Sequence, residues 1–168
     1  MGRLLIVSNR LPITVSGEGD AIVVAPSAGG LATGLKSVHE GSESLWVGWS
    51  GLDASASPVA RKSLQAQLAS RRLVEVPLSA EEVTVYYEHI ANGVLWPIFH
   101  DQLEKLPNVI EGWETYEAVN ARYADMIAAC ARPGDTIWIH DFHLMRVPAL
   151  LRERLPEIRI GFFLHIPF

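Results

Sequence analysis

Thr136-Ile137-Trp138-Ile139-His140-Asp141-Phe142-His143 is the stretch that decides the fold of this chain. Past Thr136 the residues are apolar in succession and of high strand propensity, as in a strand buried on both faces. The run then turns polar at once, so the strand would deliver His140 and Asp141 to its carboxyl end. Ile160-Gly161-Phe162-Phe163-Leu164 repeats the pattern and runs into His165, and Leu4-Leu5-Ile6-Val7-Ser8 runs into Asn9-Arg10. Strands are predicted over 4–8, 45–50, 73–78, 136–141 and 159–165.

Helical patterns lie between them. Ser79 and Glu82 form a capping-box pattern, followed by Val83, Tyr86, Tyr87 and Ile90 at helical spacing. A second helix is predicted over 113–131, with Tyr116, Asn120, Tyr123, Ile127 and Cys130 on one stripe and Pro133-Gly134 ending it. A third begins near Pro148 and stops before Pro156. Alternation of this kind predicts an α/β domain: a mostly parallel sheet, helices on both faces and right-handed crossovers. Residues 12–16 and 21–25, separated by Gly17-Glu18-Gly19-Asp20, read as a β-hairpin inserted before a helix over 32–38. There is no internal repeat and no linker long enough to separate a pair of domains.

Composition agrees with one globular unit. The 168 residues are 49% hydrophobic and 20% charged, enough for a single core and too apolar for a disordered tail. A net charge of −5 offers no basic footprint for nucleic acid. The single cysteine, Cys130, suits a reducing compartment. The apolar start is cut by Asn9 and Arg10, far short of a signal peptide, and no run approaches the roughly 18 residues of a membrane span. A soluble, cytoplasmic protein without a membrane partner is expected.

Open α/β sheets bind ligands beyond the carboxyl ends of their strands. Arg10, His140-Asp141 and His165 would all arrive at that edge, so three strands converge on one place. Ser27-Ala28-Gly29-Gly30-Leu31 leads into the first helix and reads either as a cradle for phosphate or diphosphate or as an ordinary turn. It is neither a P-loop nor a dinucleotide fingerprint. His140-Asp141-x-His143 admits metal ligation, but no second ligand cluster accompanies it, so no metal is assigned. Asp141 reads as a hydroxyl-binding or acid–base carboxylate, and His140 and His143 as residues that orient the loop. Trp46, Trp49 and Trp96 fit core packing or stacking on a sugar ring. No nucleophile elbow supports hydrolysis.

Seven motifs then occur in one order: Val7-Ser8-Asn9-Arg10-Leu11-Pro12, Ser27-Ala28-Gly29-Gly30-Leu31, Trp46-Val47-Gly48-Trp49-Ser50-Gly51, Tyr86-Tyr87, Val94-Leu95-Trp96-Pro97, Ile137-Trp138-Ile139-His140-Asp141-Phe142-His143-Leu144, and Gly161-Phe162-Phe163-Leu164-His165-Ile166-Pro167-Phe168. Together they resemble the N-terminal part of the trehalose-6-phosphate synthases, a family of retaining glucosyltransferases. The resemblance implies the N-terminal Rossmann-like half of a two-domain (GT-B type) glycosyltransferase, spanning 1–168. The C-terminal nucleotide-sugar-binding domain would be absent, and the isolated chain inactive.

The implied reaction transfers glucose from UDP-glucose to glucose 6-phosphate with retention. The implied site has Asp141 as catalytic residue and Arg10, Tyr87 and Trp96 on the acceptor phosphate. Trp49 lies in a motif beside that pocket. Gly29, Gly30 and His165 fall on the donor. The resemblance implies no metal and no cofactor, the nucleotide sugar being a substrate. Alternatives are a sister enzyme with another acceptor (a glucosylglycerol-phosphate synthase or a pseudoglycosyltransferase), or a non-catalytic sugar-phosphate-binding module that pairs with a full-length synthase subunit.

Overall fold

The computed structural model describes residues 2–166, so Pro167 and Phe168 of the last motif lie outside the described residues. The elements run β1 (Leu4–Arg10), β2 (Ile13–Glu18), β3 (Ala21–Pro26), α1 (Gly30–Glu40), β4 (Leu45–Trp49), α2 (Pro58–Ala69), β5 (Leu73–Glu75) and α3 (Ala80–Val83). A π-helix (Thr84–Leu95) follows, then α4 (Trp96–Phe99), α5 (Trp113–Cys130), β6 (Thr136–His140), α6 (Val147–Arg154) and β7 (Arg159–Phe163). The main sheet is parallel throughout, in the order β5-β4-β1-β6-β7.

β1 lies at the centre because its residues are apolar on both faces. Leu5 and Val7 face one core, with the π-helix, α5 and α6. Ile6 faces the other, with Trp46, Leu64 and Leu68. Burying one such side chain contributes roughly 1.5–3 kcal/mol. Gly48 lets β4 lie close, since a Cβ there would come within 2.8 Å of the Ser8 carbonyl oxygen. Connections leave β1 towards β4 on one side of the sheet, while β6 adds on the other. The carboxyl ends of β1 and β6 thus flank a topological switch point, the usual place for a ligand crevice.

Several boundaries differ from expectation. The strand predicted over 73–78 pairs only to Glu75, and its continuation makes a single bridge from Leu78 to Asp53. β6 and β7 stop at His140 and Phe163, so Asp141 and His165 stand just past them instead of inside them. The hairpin is present as β2–β3, apart from the main sheet and tied to α2 through Gln67, which accepts from the Val24 N–H and donates to the Ile22 carbonyl.

Helix α2 was not anticipated, although Ser57 caps it, Pro58 opens it, and Ala60, Leu64 and Leu68 form its buried stripe. The capping box of Ser79 and Glu82 forms as read. The helix it starts, however, widens after one turn into π-winding, with Tyr86, Ile90, Ala91, Val94 and Leu95 buried.

Candidate functional site

A cleft of about 490 Å³ opens at the switch point. Arg10 and Asp141 border it from the ends of β1 and β6, Tyr87 from the π-helix, and Gly29 and Gly30 from the start of α1. Five of the residues singled out from the sequence are thereby gathered around one space.

Arg10 is exposed, with its guanidinium 5.0 Å above the Trp49 ring. Gly51, at φ 94°, makes room for it: a Cβ there would lie 2.8 Å from Arg10 Nη2. Such a cation, held by a ring and open to the cleft, can grip a phosphate through two N–H groups. Trp49 does not line the cleft itself. Its indole N–H donates to the Leu52 carbonyl, so it supports Arg10 from behind.

Asp141 sits at φ 76°, ψ 166°. That region is almost restricted to glycine, and strain of this kind clusters at functional sites. Several contacts hold it. Its N–H donates to the Phe163 carbonyl at 2.8 Å, and its Oδ1 accepts from the N–H of Phe142 at 3.0 Å and of His165 at 3.4 Å. The loop behind it is braced by α5. The Tyr116 hydroxyl donates to the Phe142 carbonyl, and Asn120 donates to the His143 carbonyl and accepts from the Arg146 N–H. Burial pushes the Tyr116 hydroxyl up to about 12, so it remains a neutral donor.

Tyr87 reaches the cleft with its ring stacked on His143 at 5.5 Å. Burial pushes the His143 imidazole down to about 4. The ring beneath Tyr87 is therefore neutral near pH 7. Asn9, between Arg10 and the core, is held on both sides: its side-chain oxygen accepts from Tyr86 and its carbonyl from Tyr123.

Gly29 and Gly30 have open space where a Cβ would stand, and Gly29 caps α1 at an ordinary φ of −67°. Neither packing nor backbone angle demands glycine at either position. What their bareness does is leave the N-terminal N–H groups of α1 unshielded towards the cleft.

Trp46, His140 and His143 also line the cleft, whereas Trp96 and His165 do not. Trp96 stacks on His100 with ring centroids 4.1 Å apart. His165 stands beside Asp141, its Nε2 2.9 Å from Nδ1 of His140. His140 is buried, and burial with the neighbouring His165 pushes it down to about 4. Sequence reasoning made His140 and His143 loop-orienting residues. Their rings pack against His165 and Tyr87 respectively. Among the described residues no group of three or more His, Cys, Asp or Glu is placed to hold a metal ion, and no helix is long and apolar enough to cross a membrane.

The family model of glycosyltransferase family 20 matches residues 2–168. A bifunctional trehalose-6-phosphate synthase/phosphatase of Thermoproteus tenax is 46% identical over 99% of this chain and 23% of its own length. An alpha,alpha-trehalose-phosphate synthase (UDP-forming) from Burkholderia xenovorans, solved in complex with glucose-6-phosphate, superposes with a TM-score of 0.73 at 33% identity, over 99% of this chain and 34% of that one. A trehalose-6-phosphate structure from E. coli bound with UDP-2-fluoro glucose gives 0.74 at 34% identity, again over 99% of this chain and 34% of that one. The chain spans between about a quarter and a third of the length of such relatives.

Proposed function

Because the chain belongs to glycosyltransferase family 20, we propose that it forms the acceptor side of an enzyme that transfers glucose from UDP-glucose to glucose 6-phosphate, giving trehalose 6-phosphate. The observation that carries this reading is the cleft in which Arg10, Tyr87, Asp141, Gly29 and Gly30 meet at the switch point. A second domain, holding the nucleotide, completes the site in this proposal.

The chemistry follows from the residue types. Arg10 takes the phosphate of glucose 6-phosphate, with the Tyr87 hydroxyl and the Trp96 indole as further donors. Asp141 accepts from the acceptor hydroxyls and faces the reacting carbon of the donor. As the bond from that carbon to the diphosphate breaks, positive charge grows on the sugar, and a fixed carboxylate stabilises it. The acceptor oxygen bonds on the same face, and its proton passes to the departing phosphate. The open N–H groups beside Gly29 and Gly30 receive charge on the diphosphate. The donor is a substrate, and the reading calls on no cofactor and no metal. A cytoplasmic location accords with the lone cysteine.

Calorimetric or NMR titration of the chain with glucose 6-phosphate, glucose and glycerol 3-phosphate tests the acceptor assignment. Saturable binding of glucose 6-phosphate, tighter than either of the others, is expected. Preference for glycerol 3-phosphate would transfer the reading to a sister enzyme, and indifference to all three would overturn it. The same preparation, mixed with UDP-glucose and glucose 6-phosphate, is expected to form no trehalose 6-phosphate unaided.

A further inference from the structure

His140 lines the cleft beside Asp141 and has been given no task, while the neighbouring His165 is the residue that the family resemblance places on the donor. His140 is nonetheless the deeper of the two, 1% exposed, at the last position of β6. Trp138 and Phe163 pack on it, with ring centroids at 4.5 and 6.4 Å. Its Nδ1 lies 2.9 Å from Nε2 of His165, and its own Nε2 is buried with no hydrogen-bond partner among the described residues.

These contacts give the shared proton a direction. A neutral imidazole carries one N–H and one lone pair. With its proton on Nε2, His140 would bury an N–H that meets no acceptor, and orphaned buried donors are rarer than unpaired acceptors. With the proton on Nδ1, His140 donates to His165, and only a lone pair at Nε2 is left without a partner among the described residues. His165 then accepts at Nε2 and carries its own proton on Nδ1.

We propose that His140 is a positioning residue: it holds the His165 ring by Nε2, so that His165 offers its Nδ1–H, uncharged, to a hydroxyl of the donor sugar. The proposal rests on the family reading of His165 as a donor-sugar ligand. A neutral donor suits the place, because an imidazolium would oppose the positive charge that develops on the sugar. The main chain adds a second hold, the His165 N–H donating to Asp141 Oδ1 at 3.4 Å. Asp141 is an acceptor and His165 a donor, so the pair would present the sugar with both kinds of partner on one edge.

Two-bond ¹⁵N–¹H correlation on the ¹⁵N-labelled chain reads the tautomer of each histidine ring. His165 is expected as the Nδ1–H form in the free protein. In His140→Phe it should revert to the mixture, richer in Nε2–H, of an unconstrained histidine. In His140→Asn, whose amide can donate from near the Nδ1 position, the Nδ1–H form should return. The asparagine variant retains a polar group, so it reads the pairing even where the phenylalanine variant is unstable. Nε2–H at His165 in the unsubstituted chain, or a tautomer indifferent to His140→Phe, would overturn the proposal.

Adding UDP-glucose to the same variants made in an enzyme that carries both domains separates the pairing from the donor role. A His165 response that is lost in His140→Phe and regained in His140→Asn supports the whole. The expected tautomers without any response to UDP-glucose would overturn the donor role of His165 and leave the pairing standing.

Discussion

Asp141 carries its backbone at φ 76°, ψ 166°, a conformation that costs a side-chain-bearing residue about 1–3 kcal/mol. Glycine and alanine both lose the carboxylate's bonds to the Phe142 and His165 N–H groups, but glycine relieves the strain and alanine keeps it. Asp141→Gly should therefore be more stable than Asp141→Ala by about 1–3 kcal/mol, the reverse of the usual order at ordinary backbone angles. Urea midpoints at unchanged m-value read this directly, and an alanine variant at least as stable as the glycine one would show the strain to be absent. Arg10 makes a complementary case, being exposed, with no side-chain hydrogen bond among the described residues and its guanidinium over the Trp49 ring, so truncation should leave the fold alone. We expect Arg10→Ala to weaken glucose 6-phosphate by about one to two decades, the worth of a charge-assisted contact of roughly 1.5–3 kcal/mol, with an unshifted melting curve. Unchanged binding would remove Arg10 from the site.

The π-helix is the element that sequence reasoning could not distinguish. Val83, Tyr86, Tyr87 and Ile90 fit α-spacing, and the wider turn shows only in the backbone over Thr84–Leu95. The difference has a geometric effect on Tyr87 and Trp96. Their separation is about two and a half turns of an α-helix, which would put them on opposite faces. With i→i+5 bonding and roughly 4.4 residues per turn, they return to one face, and both pack against the larger core. Gly112, the N-cap of α5, locks this segment from outside. It sits at φ 88°, and a Cβ would stand 2.3 Å from Val85 Cγ1. Gly112→Ala should cost about 2–3 kcal/mol, from the backbone angle and the clash together. Adding Val85→Ala should recover only the clash, and a double-mutant cycle by chemical denaturation checks the split. Helix α2 escaped notice for another reason: its Ser57-Pro58 start lies in an Ala- and Ser-rich stretch that looks like loop, and its stripe is three residues long.

At the scale of the whole molecule, three histidines respond to acid together. Burial lowers His39, His140 and His143, the last two to about 4, from an ordinary value of 6.5. Each takes up a proton more readily in the unfolded chain, so stability is full above pH 6.5 and falls as the pH drops towards 4. For the buried His140 alone that fall is about 3 kcal/mol. Glu82 and Asp135, which Arg122 and Arg3 hold below the usual carboxylate range, extend the loss to lower pH. Denaturation midpoints between about pH 7 and 4 should decline steadily, and a flat profile would contradict the burial of these rings.

The strand ends, and hence Arg10 and Asp141, were legible because strands buried on both faces leave an unbroken apolar run that stops abruptly. The His140–His165 pairing was not, because a contact between two strand ends is a property of register, which no single run contains.

The sheet divides the interior into unequal cores, and the smaller one, built on Ile6, Trp46 and α2, also carries the hairpin and the approach to α1. Regions with fewer buried contacts open below the global free energy. Amide exchange should accordingly be fastest in β2, β3 and the first turn of α1, slower in α2, and slowest in β1, the strand that both cores share. Gly29 and Gly30 then belong to the region of the molecule that breathes, and an anion bound there should slow their exchange far more than it raises the stability of β1.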